Sequence, residues 1–334
     1  MNLYAEKASA FFNSSDKPFY LQVNYPDAHR PFIKQINGIP KKPLKVNDVT
    51  PLSFVGINHP EIRQQTADYY NSIMRLDHYV GDLLKALEKS GSSENTIVIY
   101  IGDHGADLPR GKRTCYEGGV RIPMIIRWPK TKENQRRSEL VSTLDLFPTI
   151  CDIAKIKTPK SLVGQSLKEI IHGKDQAWRK VMITEYHVHS NHNPWPQRAI
   201  RNERYKLIFN PLAGEVNPGY DFTMSKKFFG ASESNLLDTS TEEVRLAYKN
   251  YRKPPLFELY DLKEDPYEFK NLAKDPEYSK ELKQLNDLLL QWQKESEDPF
   301  FFSKPSRKLF NLIRDSGTKD RKRINYKSMM NIRH

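Results

Sequence analysis

Asp103, His104 and Lys112 lie close together in I-G-D-H-G-A-D-L-P-R-G-K-R-T-C-Y-E-G-G-V, residues 101–120, directly after the apolar run T-I-V-I-Y-I. A carboxylate beside an imidazole suits a hard or borderline divalent cation. Two ligands are not a complete set, because calcium takes about six to eight oxygens and magnesium about six. On spacing alone the same pair serves equally well as a turn cap and a loop histidine. Gly111 lets the backbone approach a ligand closely, and Lys112 behind it could stabilise the equatorial oxygens of a transferring sulfuryl or phosphoryl group. With Arg110 and Arg113 it could equally form a solvated basic turn. His29, in P-D-A-H-R-P-F, reads as a general acid to a leaving group, as a hydrogen-bond partner of an oxyanion, or as an ordinary turn histidine.

The elements that must position these groups follow from periodicity. Residues 3–13 read as an amphipathic helix, and Pro18 to Tyr25 as a strand of aromatic and β-branched residues. His59 to Ser90 carries helical spacing through Ile62, Tyr69, Ile73, Leu76, Val80, Leu83, Leu84 and Leu87, and Gly91 closes it. Thr96 to Ile101 is short and apolar throughout, which predicts a strand buried on both faces, as in parallel sheets. A further strand is expected at Pro123 to Trp128 and a helix at Ser142 to Ala154, capped by Ser142 or Thr143. Strand, helix, strand in this order is an open α/β pattern, in which ligands bind at the carboxyl ends of strands. Asp27-Ala28-His29 and Asp103-His104 both follow such ends.

Beyond about residue 175 the pattern changes to short strands at Val181–Tyr186, Gln197–Ile200, Tyr205–Phe209 and Phe257–Tyr260. An amphipathic helix at Ser279–Lys294 follows, so a smaller antiparallel sheet with one helix is expected. The domains expected are 1–175, 176–302 and a basic tail, 303–334. Of the net charge of +12, the segment 304–334 holds +8, from 10 Lys and Arg against 2 Asp and Glu. That tail reads as a solvated end or as a polyanion contact. No apolar run approaches the roughly 18 residues of a membrane span. The first residues lack the basic-then-apolar pattern of a signal peptide. Cys115 and Cys151 form no disulfide framework.

D-H-G followed by P-R-G-K-R-T-C-Y-E-G-G-V-R-I-P resembles the second signature of the sulfatase family, and P-D-A-H-R resembles that family's H-D-P-H-R loop, with Pro26 in place of its first histidine. The resemblance runs from about residue 3 to 302. Within the family, P-Q-R-A-I-R-N-E-R-Y-K-L-I and F-E-L-Y-D-L-K-E-D-P-Y-E-F-K-N-L-A look most like heparan N-sulfatases (sulfamidases), the second of these being a structural segment. It implies an alkaline-phosphatase-like α/β sheet and hydrolysis of a sulfate ester or sulfamate on a sulfated glycan. Asp103 and His104 would then be ligands to Ca2+ (or Mg2+), with His29 and Lys112 on the reacting sulfate. Arg30, Arg113, His189 and Arg198 would contact substrate. A periplasmic, secreted or lysosomal location is implied, with neither nucleic acid nor membrane as a partner.

The resemblance also implies a formylglycine, made from the Cys or Ser of C/S-x-P-S-R. Neither cysteine has that context, and S-K-P-S-R at 303–307 lies in the basic tail without the T-G that normally follows. Two early metal-binding aspartates of the family have no counterpart either. The expectation is therefore a C-terminal portion, inactive alone, that works with an N-terminal sulfatase fragment. Alternatives are a non-catalytic polyanion-binding remnant and a phosphoryl hydrolase of the same superfamily. Strands left without neighbours predict poor solubility or association.

Overall fold

The computed structural model describes residues 3–14, 16–131, 134–174, 177–189, 194–301 and residue 311. Helix α1 (Leu3–Phe12) packs on α2 (Pro60–Lys89), the long helix expected from its apolar spacing. His59 caps α2 by accepting from the Glu61 amide at 3.2 Å, and Pro60 sits in the first turn, where its missing N–H costs nothing. Gly91 ends it with φ +75°. Residues 18–25 are not a paired strand. They run extended, with Tyr20, Gln22 and Asn24 hydrogen-bonded along one face, but their backbone joins no ladder among the described residues.

Strand β1 (Val98–Ile101) pairs with β2 (Met124–Arg127), and the pairing is antiparallel, not the parallel arrangement its apolar run suggested. The register places Ile101 opposite Met124, and the Gly102 amide extends the ladder to the Pro123 carbonyl. Residues 103–121 are therefore a loop that leaves β1 and returns to β2, so both ends of the signature stretch are fixed at one strand end. Ile101 is 38% and Ile125 64% exposed, so this pair is not covered on both faces among the described residues.

The second sheet is antiparallel, in the order β3 (Met182–Val188), β4 (Pro194–Arg201), β5 (Tyr205–Phe209), β6 (Phe257–Asp261). Its strands match the expected ones to within a few residues. The helix Ser279–Glu295 lays Leu285 and Leu289 against β4 and β5. Ser142 caps the turn leading into the helix Leu146–Ile153. One core draws on both halves of the chain: Val55, Ile57, Leu108, Cys115 and Tyr116 pack with Ala199, Ile208, Tyr248 and Tyr260. Both cysteines are buried free thiols. No helix among the described residues is long and apolar enough to cross a membrane.

Candidate active site

The loop 103–121 is a close backbone fold, and its sequence explains why. The Gly105 amide binds the Gly119 carbonyl at 2.9 Å, and a Cβ on Gly105 would lie 1.8 Å from the Gly118 oxygen. The Lys112 amide returns to the Ala106 carbonyl at 2.9 Å, where a Cβ on Gly111 would lie 2.1 Å from the same oxygen. Only glycine permits these approaches. They bring Lys112 back toward Asp103 at the end of β1.

The His104 Nδ1 lies 2.7 Å from the Gly105 carbonyl and must donate to it, since a carbonyl only accepts. Nε2 lies 3.3 Å from one Asp103 oxygen, and the other accepts the His104 amide at 3.0 Å. A carboxylate and an imidazole side by side suit a cation in type. They fall short in number: among the described residues no group of three or more His, Cys, Asp and Glu is placed to hold a metal ion.

Lys112 is only 4% exposed, yet its ammonium forms no hydrogen bond or ion pair among the described residues. Burial lowers its pKa, Asp107 pulls it up, Arg113 pushes it down and Asp103 adds a weaker upward pull. His189 feels the same groups: burial lowers its pKa first, then Lys112 and Arg113, with Asp107 opposing and His104 adding to the lowering. Asp103, His104, Lys112 and His189 therefore share one electrostatic neighbourhood.

Arg30 reaches this loop from the other signature segment. Its Nε donates to the Asp107 carbonyl at 2.8 Å and its Nη1 to Gln65 at 2.7 Å, while burial pulls its pKa down to about 10. His29, its neighbour, is exposed, and its Nδ1 donates to the Arg30 carbonyl at 2.6 Å, leaving Nε2 as an acceptor. The loop itself is held by Arg75 of α2, which is 1% exposed and donates to Asp27 at 2.8 Å and to the Ile33 carbonyl at 2.9 Å.

Two further expected substrate contacts, like Arg30, have partners within the protein. Arg113 is 5% exposed and grips both oxygens of Asp107 at 2.6 and 3.0 Å. Arg198 is fully buried, bound to both oxygens of Asp298 at 3.0 and 2.8 Å, and lies over the Phe300 ring. It ties β4 to the chain after the last helix, because a buried guanidinium must be paired. His187 pairs with Glu185 at 3.2 Å. His192 and the S-K-P-S-R stretch lie outside the described residues.

Sequence reasoning passed over Asp107 and the buried set that anchors the loop to the second sheet. Arg110 donates to the carbonyls of Tyr267 and Glu268 at 3.1 and 2.6 Å and lies over the Tyr116 ring. The Tyr116 hydroxyl donates to Glu258 at 2.7 Å, and the Glu117 carboxylate meets Arg201 at 2.7 Å and Lys206 at 3.0 Å. Burial pushes the Glu117 pKa up, but Lys206 and Arg201 outweigh it and hold the group below the usual carboxylate range. The available signal was an acidic residue inside the β6 strand, Glu258, and a second in the loop after it, Glu268.

Glycine turns, an Asp-His pair at a strand end and a buried lysine between them define a class of site, and sequence comparison identifies it. The chain belongs to the sulfatase family: residues 1–156 match the sulfatase family, and residues 102–224 match the N-sulphoglucosamine sulphohydrolase C-terminal family. It is 34% identical over 231 residues to an ulvan-active sulfatase of Formosa agariphila, covering 67% of this chain and 37% of that one. It is 27% identical over 319 residues to the N-sulphoglucosamine sulphohydrolase of Homo sapiens, covering 85% of this chain and 62% of that protein. Among solved structures, one in complex with its substrate D-glucosamine-2-N,6-O-disulfate matches with a TM-score of 0.51 and 26% identity, over 73% of this chain and 43% of that one. The chain spans between 37% and 62% of the length of these curated relatives.

Proposed function

We propose that this chain supplies the anion-binding side of a site that hydrolyses sulfate from a glycan, with a glucosamine N- or O-sulfate as the substrate class. The observation that carries the reading is the Lys112 ammonium, 4% exposed and without a hydrogen-bond or ion-pair partner among the described residues. A largely buried ammonium without a protein partner is placed to receive an anion. The similarity to an N-sulphoglucosamine sulphohydrolase, and to a structure holding a disulfated glucosamine, supports sulfate as that anion.

On this reading Lys112 neutralises the oxygens of the sulfuryl group where charge shifts during transfer. Burial, then Lys112 and Arg113, lower the His189 pKa, which disfavours its cationic form and suits it to a hydrogen bond. His29, with Nε2 open, is the group to exchange a proton with the departing nitrogen or oxygen. A divalent cation and a formylglycine would supply charge neutralisation and a nucleophile; Asp103 and His104 would help hold the former, and T-C-Y-E-G and I-C-D-I-A are not contexts for the latter. The remaining ligands and the nucleophile would come from an N-terminal sulfatase segment. A periplasmic, secreted or lysosomal setting goes with a glycan substrate.

The test is equilibrium binding of glucosamine 2-N-sulfate to the whole chain. Lys112→Ala is expected to weaken binding at least about tenfold, the loss of one charge-assisted contact. Equal binding by the two proteins would remove the basis of the reading.

A further inference from the structure

Lys112 lies beside a carboxylate and yet does not pair with it. Its amide is bound to the Ala106 carbonyl, next to Asp107, and the Asp107 charge opposes the fall that burial causes in its pKa. A lysine with four rotatable bonds would ordinarily fold onto such a neighbour, because an unpaired buried ammonium is costly. Arg113 holds that carboxylate instead. Its guanidinium takes both Asp107 oxygens, Nη1 to Oδ1 at 2.6 Å and Nη2 to Oδ2 at 3.0 Å, in the bidentate fork that a point-charge ammonium cannot match. Arg113 reaches that position from a backbone at φ +76°, an uncommon conformation for a side-chain-bearing residue, and its guanidinium lies 5.2 Å from the Phe222 ring centroid. Arg30 is 3.8 Å from the same carboxylate, but its Nε is already donated to the Asp107 main-chain oxygen.

We propose that Arg113 is a positioning residue that occupies Asp107 and so keeps the Lys112 ammonium free for an anion, rather than a group that touches the substrate. The proposal rests on the reading of Lys112 as the anion contact. It makes Asp107 and Arg113 a unit: the carboxylate tempers the field of two adjacent cations, and the fork stops that carboxylate from capturing the wrong one. Removing Arg113 alone exposes Lys112 to Asp107. Removing both partners takes the Asp107 carboxylate away from Lys112 as well.

The experiment measures binding of inorganic sulfate to the whole chain, well below the unfolding temperature of every variant, for wild type, Lys112→Ala, Arg113→Ala and Asp107→Asn/Arg113→Ala. Alongside it, 13C-lysine NMR follows the titration of the Lys112 side chain, assigned by its absence in Lys112→Ala. Arg113→Ala is expected to bind sulfate at least tenfold more weakly and to move the Lys112 titration upward. The double variant is expected to recover binding to within about threefold and to return that titration downward, since a buried pair can be replaced together at little cost. A purely structural role would shift thermal stability without moving the lysine titration. Wild-type binding by Arg113→Ala, or no recovery in the double variant, overturns the proposal and leaves the Lys112 reading standing. Undiminished binding by Lys112→Ala overturns that parent reading instead.

Discussion

Lys112 illustrates a residue whose place in the site works against the fold. Its burial without a partner is unfavourable, so Lys112→Met should raise stability by about 1 kcal/mol while abolishing sulfate binding. Urea denaturation beside a binding titration checks both halves, and a loss of stability would show that the ammonium has a structural partner. His189 gives a second prediction. Burial, then Lys112 and Arg113, hold its folded pKa below the ordinary value. Its contribution to stability is therefore full above the unfolded pKa of about 6.5 and is lost as pH falls toward the lower folded value. A bound sulfate reverses the local field and favours the imidazolium. Sulfate affinity should thus strengthen as pH falls from about 7 to 5, and His189→Ala should flatten that dependence, as read by calorimetric titration across the range.

Between elements, the second sheet acts as the support of the signature loop. Glu258, fully buried on β6, accepts from Tyr116 at 2.7 Å, from Tyr260 at 2.6 Å and from Asn210 at 2.8 Å. Asn210 accepts in turn from Gln197, whose side-chain oxygen receives the Cys115 amide. Each polar group in this chain of contacts has its partner, which is the condition for burying it. Glu258→Ala strands three donors at once, and we expect it to cost about 3 kcal/mol or more. The same change should weaken sulfate binding, because Tyr116 no longer fixes the backbone four residues from Lys112. Chemical denaturation of the variant would refute this if its stability stayed within about 0.5 kcal/mol of wild type.

At the scale of the molecule, the two regions differ in how completely they are covered. The four-stranded sheet has a continuous core with its helix, including Trp195, Leu207, Leu259, Leu285 and Phe300. The β1–β2 pair leaves Ile125 at 64% exposure, and Leu144 and Phe147 are 59% and 56% exposed nearby in sequence to the following helix. Residues 18–25 add an extended segment outside any ladder among the described residues. Unpaired strand backbone and exposed apolar side chains both favour association. The chain by itself should self-associate at micromolar concentration, or bind a polypeptide carrying further strands of the fold. Sedimentation velocity would sink this expectation by showing one monomeric species with a single cooperative unfolding transition.

Local chemistry wrote much of this protein openly in its sequence. Apolar spacing gave the long helix α2, Gly91 its end, and short β-rich runs gave the four antiparallel strands, because periodicity and turn residues act within a few neighbours. The Asp-His step after an apolar run and the glycine-flanked lysine marked the candidate site for the same reason. The partners of the arginines were not legible. Arg30, Arg113 and Arg198 all read as cations offered to a substrate, yet each is bound within the protein, two of them by aspartates distant from or displaced along the chain. Nor did the apolar run at Thr96 reveal an antiparallel partner in β2. Charge and hydrophobicity are properties of a residue, whereas pairing depends on which groups the fold brings within about 3 Å, and only the tertiary structure fixes that.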